Sequence, residues 1–257
     1  MASPKPEWEN LSDEDLLKLR VRDLDLKLET SVVYPQVQKV LGELADKGLT
    51  FFPRIFFGDE WFSPDGIAAV AIPFYLAHDR LRKLEKKFMM EVEGDDPQEF
   101  ARFLRHEIGH AFDHAFRLSR RARWREIFGS PSKEYAPENY RPRPYSKSFV
   151  HNISRWYAQS HPDEDFAETF AVWLDPESKW KKSYRGWGAL KKLEYVERLA
   201  KEFEGKIVPA ASGRMMSDAR HLKTTLEHYY EKKRRDFEEE YPDFYDRDLL
   251  RIFSKRY

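Results

Sequence analysis

Residues 106 to 110 read His-Glu-Ile-Gly-His, and the residue types and spacing of this pentapeptide could do chemistry. On a helix, positions four residues apart project from the same face. Two imidazoles so placed, those of His106 and His110, can hold one Zn²⁺ ion, and Glu107 between them can reach an activated water. The pattern therefore predicts a metal-dependent hydrolytic site, provided that the surrounding elements position it.

The helix that must carry the pentapeptide is predicted from Gln98 to Trp124. At about 100° per residue, His106 and His110 fall within a narrow arc, and the apolar residues cluster on the opposite side. This apolar set is Phe100, Leu104, Ile108, Ala111, Phe112 and Ala115. A glycine inside a helix costs about 1 kcal/mol against alanine, so Gly109 suggests that another backbone approaches closely. The alternative is a pair of surface histidines on an ordinary helix.

A catalytic zinc usually has three protein ligands and a water, so a third ligand must come from elsewhere in the chain. A second helix is predicted from Ser160 to Leu174, with Ser160 as its cap. Glu164 and Glu168 share one face of it. Glu164 is the predicted third ligand. Glu168 is predicted to accept a hydrogen bond from the imidazole of one ligand histidine, and Asp113 from the imidazole of the other. The reverse assignment, with Glu168 on the metal, stays open.

Other histidines and ordinary acidic residues remain alternatives. His151 or His161 could be the third ligand in place of Glu164. Acids in a first turn also simply favour the helix dipole, so the assignment of Glu164 depends on the neighbouring H-E-x-x-H helix. His114, one turn beyond His110, is expected at the rim, because a straight helix carries it away from the metal.

The two helices together resemble the gluzincin pattern, in particular the family of the anthrax lethal factor catalytic domain. There an H-E-F-G-H helix precedes a helix reading E-x-F-A-E, here residues 164–168, whose first glutamate is the metal ligand. The resemblance implies that Tyr157, seven residues before Glu164, supports the transition state. It also includes Asp113, three residues after the second histidine. The whole chain is similar to uncharacterised bacterial zinc-binding metallopeptidases, but the detailed likeness covers only the two helices and Tyr157 and implies no substrate.

These residues predict a zinc metallopeptidase that acts on a peptide or protein substrate. Zinc lowers the pKa of its bound water towards about 7. Glu107 would take the proton as general base and pass it to the leaving amine. Tyr157 is the candidate second donor to the tetrahedral oxyanion.

The composition agrees with a folded enzyme. The chain has 257 residues, of which 15% are aromatic, and a formal net charge of zero, so no global field attracts nucleic acid, which is not an expected partner. There is no cysteine, which excludes a disulfide framework and a thiolate zinc site. No signal-type or membrane-length apolar segment is visible, which predicts a cytoplasmic protein without a membrane partner. The oligomeric state stays open.

The chain is predicted to divide into a polar lead-in (1–15), a zincin-like catalytic domain (16–182) and a helical extension packed on that domain (183–257). The catalytic domain is expected to be α+β, with a small mixed sheet beside the H-E-x-x-H helix. The remaining predicted elements are strands over 20–29, 49–57 and 67–76, helices over 34–47, 78–90 and 217–240, and a loop over 131–144.

The strand over 67–76 is predicted to lie at the edge of the sheet, because Pro73 cannot donate a ladder hydrogen bond. An edge strand beside an active-site helix can bind an extended peptide by strand addition. Ile67, Ala69 and Ala71 are therefore the predicted substrate-binding residues. The alternative is a plain core strand.

Three other classes of function stay open. One is a catalytically silent zinc domain that binds peptides and hydrolyses none. Another is a nucleic-acid-associated protease that binds through residues 117–147, a segment that contains nine basic and three acidic side chains. The alternative is that this charged segment is simply a solvated surface. A toxin-like protease with one host target is the third.

Overall fold

The structure is a computed structural model that describes residues 6–134, 141–208 and 215–240. The fold is α+β, with mostly helices and a small parallel sheet. The strands are β1 (Arg54–Gly58) and β2 (Ala69–Pro73). The helices are α1 (Asp13–Leu17), α2 (Tyr34–Asp46), α3 (Asp79–Met89), α4 (Pro97–Phe116), α5 (Ala122–Phe128), α6 (Pro162–Leu174), α7 (Trp180–Ser183), α8 (Ala189–Phe203) and α9 (Leu226–Glu240).

The helix predicted from Gln98 to Trp124 ends earlier than expected. Asp96 caps α4 by accepting from two backbone N–H groups in its first turn, and Pro97 opens the helix. At Arg117 the backbone turns into the left-handed region, with φ of 52°, and α4 stops. A 3-10 helix (Leu118–Arg120) and α5 follow. The pentapeptide therefore lies at the middle of a 20-residue helix.

The predicted strand over residues 20–29 is wrong. The structure has two 3-10 helices there, Val21–Leu24 and Leu28–Thr30. Val21 and Leu24 are both buried, and their three-residue spacing matches the period of a 3-10 helix. Backbone N–H groups of this segment donate to carbonyls in the stretch before α9. The apolar spacing in the sequence reflects these tight turns.

The strand predicted over 67–76 exists as β2 and lies at the edge of a two-stranded sheet as predicted, but its outer side is partly occupied. On one side β2 pairs in parallel with β1, from Arg54 beside Ala69 to Gly58 beside Pro73. On the other side the N–H of Ala71 donates to the carbonyl of Phe62 at 2.8 Å, in an isolated antiparallel bridge. The loop after β1 therefore folds back against the outer edge of β2 at Ala71.

Helices α4 and α6 cross where Gly109 meets Ala167. A Cβ placed on Gly109 would lie 3.0 Å from the Cα of Ala167 and 3.1 Å from its carbonyl oxygen. These atoms are backbone and cannot swing aside, so the close approach predicted at Gly109 is confirmed. The glycine lets the two helices that carry the candidate ligands pack at short range.

We expect Gly109→Ala to lower the stability of the protein. Overpacking costs about 1–3 kcal/mol, which exceeds the gain of about 1 kcal/mol in helix propensity. Gly42, inside α2, is the matched control, because a Cβ added there would meet no atom within 4 Å. Urea unfolding should show a lower free energy of unfolding for Gly109→Ala and a higher one for Gly42→Ala. Equal changes in the free energy of unfolding for the two variants would contradict close packing at Gly109.

The C-terminal helices contact the remainder of the protein. Helix α8 packs on α6, where Lys192 Nζ lies 2.6 Å from a carboxylate oxygen of the buried Asp165. Helix α9 begins at Leu226 and not at residue 217 as predicted, and its Lys233 pairs with Glu85 of α3 at 2.5 Å. Trp8, from the predicted lead-in, is also buried in the core.

Parts of some predicted segments lie outside the described residues, namely 1–5, 135–140 in the predicted loop, 209–214 and 241–257. The predicted domain division therefore stays a prediction. None of the described helices is long and apolar enough to cross a membrane.

Candidate metal centre

Three side chains converge between α4 and α6. His106 and His110 lie on successive turns of α4, and Glu164 lies in the first turn of α6. The Oε2 atom of Glu164 is 3.0 Å from His106 Nε2 and 3.2 Å from His110 Nε2. The two Nε2 atoms are 3.1 Å apart. Among the described residues, these three form the group that could hold a metal ion.

The spacing of the three atoms fits a single tetrahedral ion. Zinc ligands lie about 2.0–2.2 Å from the metal, so two of them at a tetrahedral angle are separated by about 3.3 Å. The observed separations lie between 3.0 and 3.2 Å. Each Nε2 carries at most one proton, so hydrogen bonds alone cannot satisfy all three contacts. A cation at their centre would satisfy them together.

Glu168, one turn after Glu164, orients the first imidazole. Its Oε1 atom lies 2.8 Å from His106 Nδ1, and the side chain is fully buried. A carboxylate at Nδ1 favours the proton on that nitrogen and leaves the Nε2 lone pair facing the cluster. This geometry favours Glu164 as the ligand and Glu168 as the group that holds His106.

The carboxylates also change the titration of the two histidines. Burial alone would lower the pKa of His106, but hydrogen bonds and charges from Glu164 and Glu168 outweigh it and raise the pKa well above its ordinary value. Burial is likewise outweighed at His110, where Glu164 raises the pKa. For Glu164, the effect of burial is overcome by both imidazoles, and its pKa is lowered. The cluster therefore favours positive charge, which a divalent ion would supply in exchange for protons.

Glu107 lies on α4 between the two histidines and is buried. Burial raises the pKa of its carboxyl group, and the charges of His106 and His110 oppose that shift. A raised pKa brings a carboxylate closer to the range in which a general base works best.

Tyr157 reaches the same cluster from the 3-10 helix Ser154–Gln159, which precedes α6. Its ring centroid is 5.7 Å from that of His106, and the two ring planes make an angle of 51°. The preceding residue, Trp156, has a left-handed backbone with φ of 55°, which is uncommon for a bulky side chain. The structure thus brings Tyr157 beside a histidine that lies far from it in sequence.

Asp113 has a partner other than the predicted imidazole. Its Oδ1 atom accepts the backbone N–H of Ser119 at 2.7 Å, just after the end of α4. Burial raises the pKa of Asp113, and this hydrogen bond opposes the shift. The contact stabilises the turn at the end of the helix, and a role at His110 stays a prediction.

Two other histidines have structural contacts away from the cluster. His161 caps α6, because its Nδ1 accepts the N–H of Asp163 at 3.2 Å, and its Nε2 lies 2.9 Å from the carbonyl oxygen of Lys133. The predicted cap at Ser160 is therefore wrong by one residue. His151 is exposed, and its ring packs edge-on against Trp187.

His114 lies beside His110, with ring centroids 6.3 Å apart, and its Nδ1 is 3.4 Å from Ser63 Oγ. A cavity of about 310 Å³ opens here, lined by Asp65, Gly66, Asp113, His114, Arg117, Ser119 and Arg120. His114 therefore lies next to His110 and lines this cavity, and its predicted position at the rim of the metal site stays a prediction.

Of the predicted substrate-binding residues, Ala69 and Ala71 lie in β2, and Ile67 lies two residues before it. Ala69 and Ala71 are fully buried, and Ile67 packs against the same small apolar cluster. Ser63 Oγ donates to the carbonyl of Ala69 at 2.9 Å, and Phe62 accepts from Ala71. The Ala69 carbonyl and the Ala71 N–H thus already have partners, so a peptide would meet Phe62 and Ser63 first. A substrate contact at the predicted residues stays a prediction that requires this segment to move.

Sequence reasoning missed the residues that hold Glu168. Asn152 Nδ2 donates to Glu168 Oε1 at 2.8 Å, and the backbone N–H of Ile153 donates to Oε2 at 2.9 Å. Both precede the segment that carries Tyr157. No periodicity or motif distinguishes a single asparagine in a loop, so the sequence held no signal for this contact.

A buried His-His-Glu group between two helices of an α+β protein defines a candidate mononuclear metal centre. The chain belongs to the family described as "Putative zinc-binding metallo-peptidase", whose model matches residues 74–202, about half of the chain. The matched region runs from just after β2 to α8 and includes the whole candidate centre.

The relatives found by sequence are uncharacterized proteins of mycobacteria. One is from Mycobacterium bovis and two are from strains of Mycobacterium tuberculosis, and each is 36% identical to this chain over 95 residues. The match covers 33% of this chain and 27% of each relative, so the chain matches about a quarter of their length. No solved structure matches the chain.

Proposed function

We propose that this protein is a zinc-dependent peptidase of the gluzincin type, built on a zincin-like fold. The observation that carries the proposal is the convergence of His106, His110 and Glu164 within 3.2 Å of one another, with the buried Glu107 on the same helix. Membership in a zinc-binding metallopeptidase family supports both the metal and the class of reaction.

In this proposal, His106, His110 and Glu164 would hold the metal, and Glu168 keeps the Nε2 lone pair of His106 directed at it. Zinc bound there supplies a Lewis acid that polarises a carbonyl and acidifies a water molecule. The Glu107 carboxylate accepts the proton of the attacking water and then delivers it to the leaving amine. The raised pKa of Glu107 suits a group that must both take up and release a proton.

Tyr157 is the proposed donor to the oxyanion that develops on the attacked carbonyl. Its ring lies beside that of His106, and the side chain is half-buried. A hydrogen bond that strengthens as charge develops lowers the barrier without tightening the binding of the substrate. The resemblance to the lethal factor family gives the same role to the tyrosine seven residues before the ligand.

The proposed substrate is an extended peptide or protein segment. The backbone of Phe62 and Ser63 forms the outer side of the sheet next to the rim residue His114, which is 3.4 Å from Ser63 Oγ. Extended peptides bind such edges through main-chain hydrogen bonds. The Phe62–Ser63 segment is therefore proposed to make the first contact with the substrate, ahead of the predicted residues Ile67, Ala69 and Ala71.

We expect Tyr157→Phe to lower kcat by about 10²–10³-fold while KM changes little, because the loss of one oxyanion donor has an effect of that size. Zinc content should remain that of the wild type, since the phenylalanine keeps the ring beside His106. Steady-state kinetics on a peptide cleaved by the wild type, with zinc measured by elemental analysis, tests this.

Tyr145→Phe is the matched control, because Tyr145 is 95% exposed, and its kcat should equal that of the wild type. An undiminished kcat in Tyr157→Phe would remove Tyr157 from the mechanism.

A further inference from the structure

The buried carboxylate of Glu168 joins two parts of the site that are separate in sequence. One oxygen, Oε1, is 2.8 Å from His106 Nδ1 and also accepts the Nδ2 group of Asn152 at 2.8 Å. The other oxygen, Oε2, accepts the backbone N–H of Ile153 at 2.9 Å. Three donors therefore converge on one fully buried carboxylate.

We propose that Asn152 is a positioning residue for both the metal ligand His106 and the segment that carries Tyr157. This inference rests on the proposed function, in which His106 binds zinc and Tyr157 donates to the oxyanion. Asn152 acts through Glu168 and through the loop it begins, and it touches no reacting atom.

Asn152 restrains Glu168 on the side of the imidazole. A buried carboxylate without enough donors is unstable, and it would rotate about its terminal torsion to find others. With Asn152 and Ile153 each bonded to a different oxygen, that rotation breaks two hydrogen bonds. Oε1 is thereby held in line with His106 Nδ1, which fixes the direction of the Nε2 lone pair.

The same contacts hold the beginning of the segment that carries Tyr157. The 3-10 helix Ser154–Gln159 starts one residue after Ile153. Its far end is closed by Ser160, whose Oγ and N–H both donate to the carbonyl of Tyr157, at 2.8 and 3.0 Å. Hydrogen bonds thus hold the segment on both sides of Tyr157. Those on the N-terminal side are made to the Glu168 carboxylate, which also orients His106.

The side chain of Asn152 supplies an uncharged hydrogen-bond donor to Glu168. An asparagine amide donates without carrying charge, so it can bond Oε1 while leaving the negative charge of Glu168 available to the imidazole. An aspartate of nearly the same shape would place a second carboxylate against the first. Asn152→Asp should therefore disturb the site more than Asn152→Ala, although it leaves a smaller cavity.

The test measures zinc affinity by chelator competition on the full chain, for the wild type, Asn152→Ala and Asn152→Asp. We expect the zinc dissociation constant of Asn152→Ala to rise about 10–100-fold, as for other groups that orient metal ligands, and that of Asn152→Asp to rise further. At saturating zinc, kcat should fall in both variants with KM little changed, because the segment that carries Tyr157 loses its hydrogen bond from Asn152 to Glu168. Ser154→Ala, an exposed position in the same segment, is the control and should bind zinc like the wild type.

A purely structural role for Asn152 would give a different result. It would lower the melting temperature equally with and without zinc and leave the zinc dissociation constant unchanged, and that outcome would overturn the inference. Asn152→Asp keeps the volume of the side chain, so it tests the amide even if Asn152→Ala fails to fold. A wild type that binds zinc but cleaves no peptide would contradict the proposed function alone, because the zinc affinities would still decide the role of Asn152 at His106.

Discussion

Glu107→Gln is expected to lower kcat by about 10²–10⁴-fold, the usual contribution of a general acid–base group, while zinc stays bound. Glutamine has nearly the same volume as the buried glutamate, but its amide cannot accept a proton from water or return one to an amine. His106 and His110 on the same helix are unchanged, so the metal content should match that of the wild type.

The measurement compares turnover of one cleaved peptide by the zinc-loaded wild type and the zinc-loaded variant. Glu126→Gln is the control, since the Glu126 side chain is 65% exposed on α5 and lies outside the metal cluster. Its rate should not change. Equal rates for Glu107→Gln and the wild type would exclude Glu107 as the base.

The second large effect is expected for the third ligand. Glu164→Ala should raise the zinc dissociation constant by more than about 100-fold, which exceeds the usual effect of losing a group that only orients a ligand. The substitution removes the oxygen that lies 3.0–3.2 Å from both Nε2 atoms. Because a ligand that binds only the folded state raises its stability, zinc should also cease to raise the melting temperature of this variant.

The neighbouring Asp163→Ala serves as the matched control. Asp163 lies in the same first turn of α6, with a side chain that is 36% exposed, so both substitutions remove one acidic side chain from the positive end of the helix dipole. Chelator competition should show near wild-type affinity for Asp163→Ala. A larger loss in Glu168→Ala than in Glu164→Ala would instead make Glu168 the ligand.

The parts of the site that local pattern controls could be predicted from the sequence. The four-residue spacing of His106 and His110 places them on one face of any helix, and the acidic face of α6 follows from the spacing of Glu164 and Glu168. Gly109 correctly indicated the close crossing of α4 and α6, because a glycine inside a helix lowers its stability and is expected where another backbone approaches. The resemblance to the lethal factor family added Tyr157.

Contacts between distant segments could not be predicted in this way. The fold-back of Phe62 onto Ala71 depends on the path of a loop, and it occupies part of the outer edge of β2. The bond from Asn152 to Glu168 joins a loop residue to a helix that begins ten residues later. The left-handed turn at Arg117, which ends α4 within a predicted helix, involves a residue type with no strong preference for that conformation.

The segment over 20–29 shows how an apolar pattern can mislead. Val21 and Leu24 bury one side of a 3-10 helix, while the later leucines continue the spacing that suggested a strand. The spacing of a short apolar run can fit a strand or a helix equally well. Here, backbone hydrogen bonds to the stretch before α9 favour the 3-10 helix.

The most direct test of the proposed peptidase is cleavage of a peptide library by the full chain, followed by mass spectrometry of the products. The protein should first be treated with a chelator and then reloaded with one equivalent of zinc. We predict that new peptide ends form with the zinc-loaded protein, are absent after chelation, and return when zinc is restored. A protein that holds one zinc ion at His106, His110 and Glu164 but cleaves no peptide in the library would contradict this account and indicate a catalytically silent zinc domain.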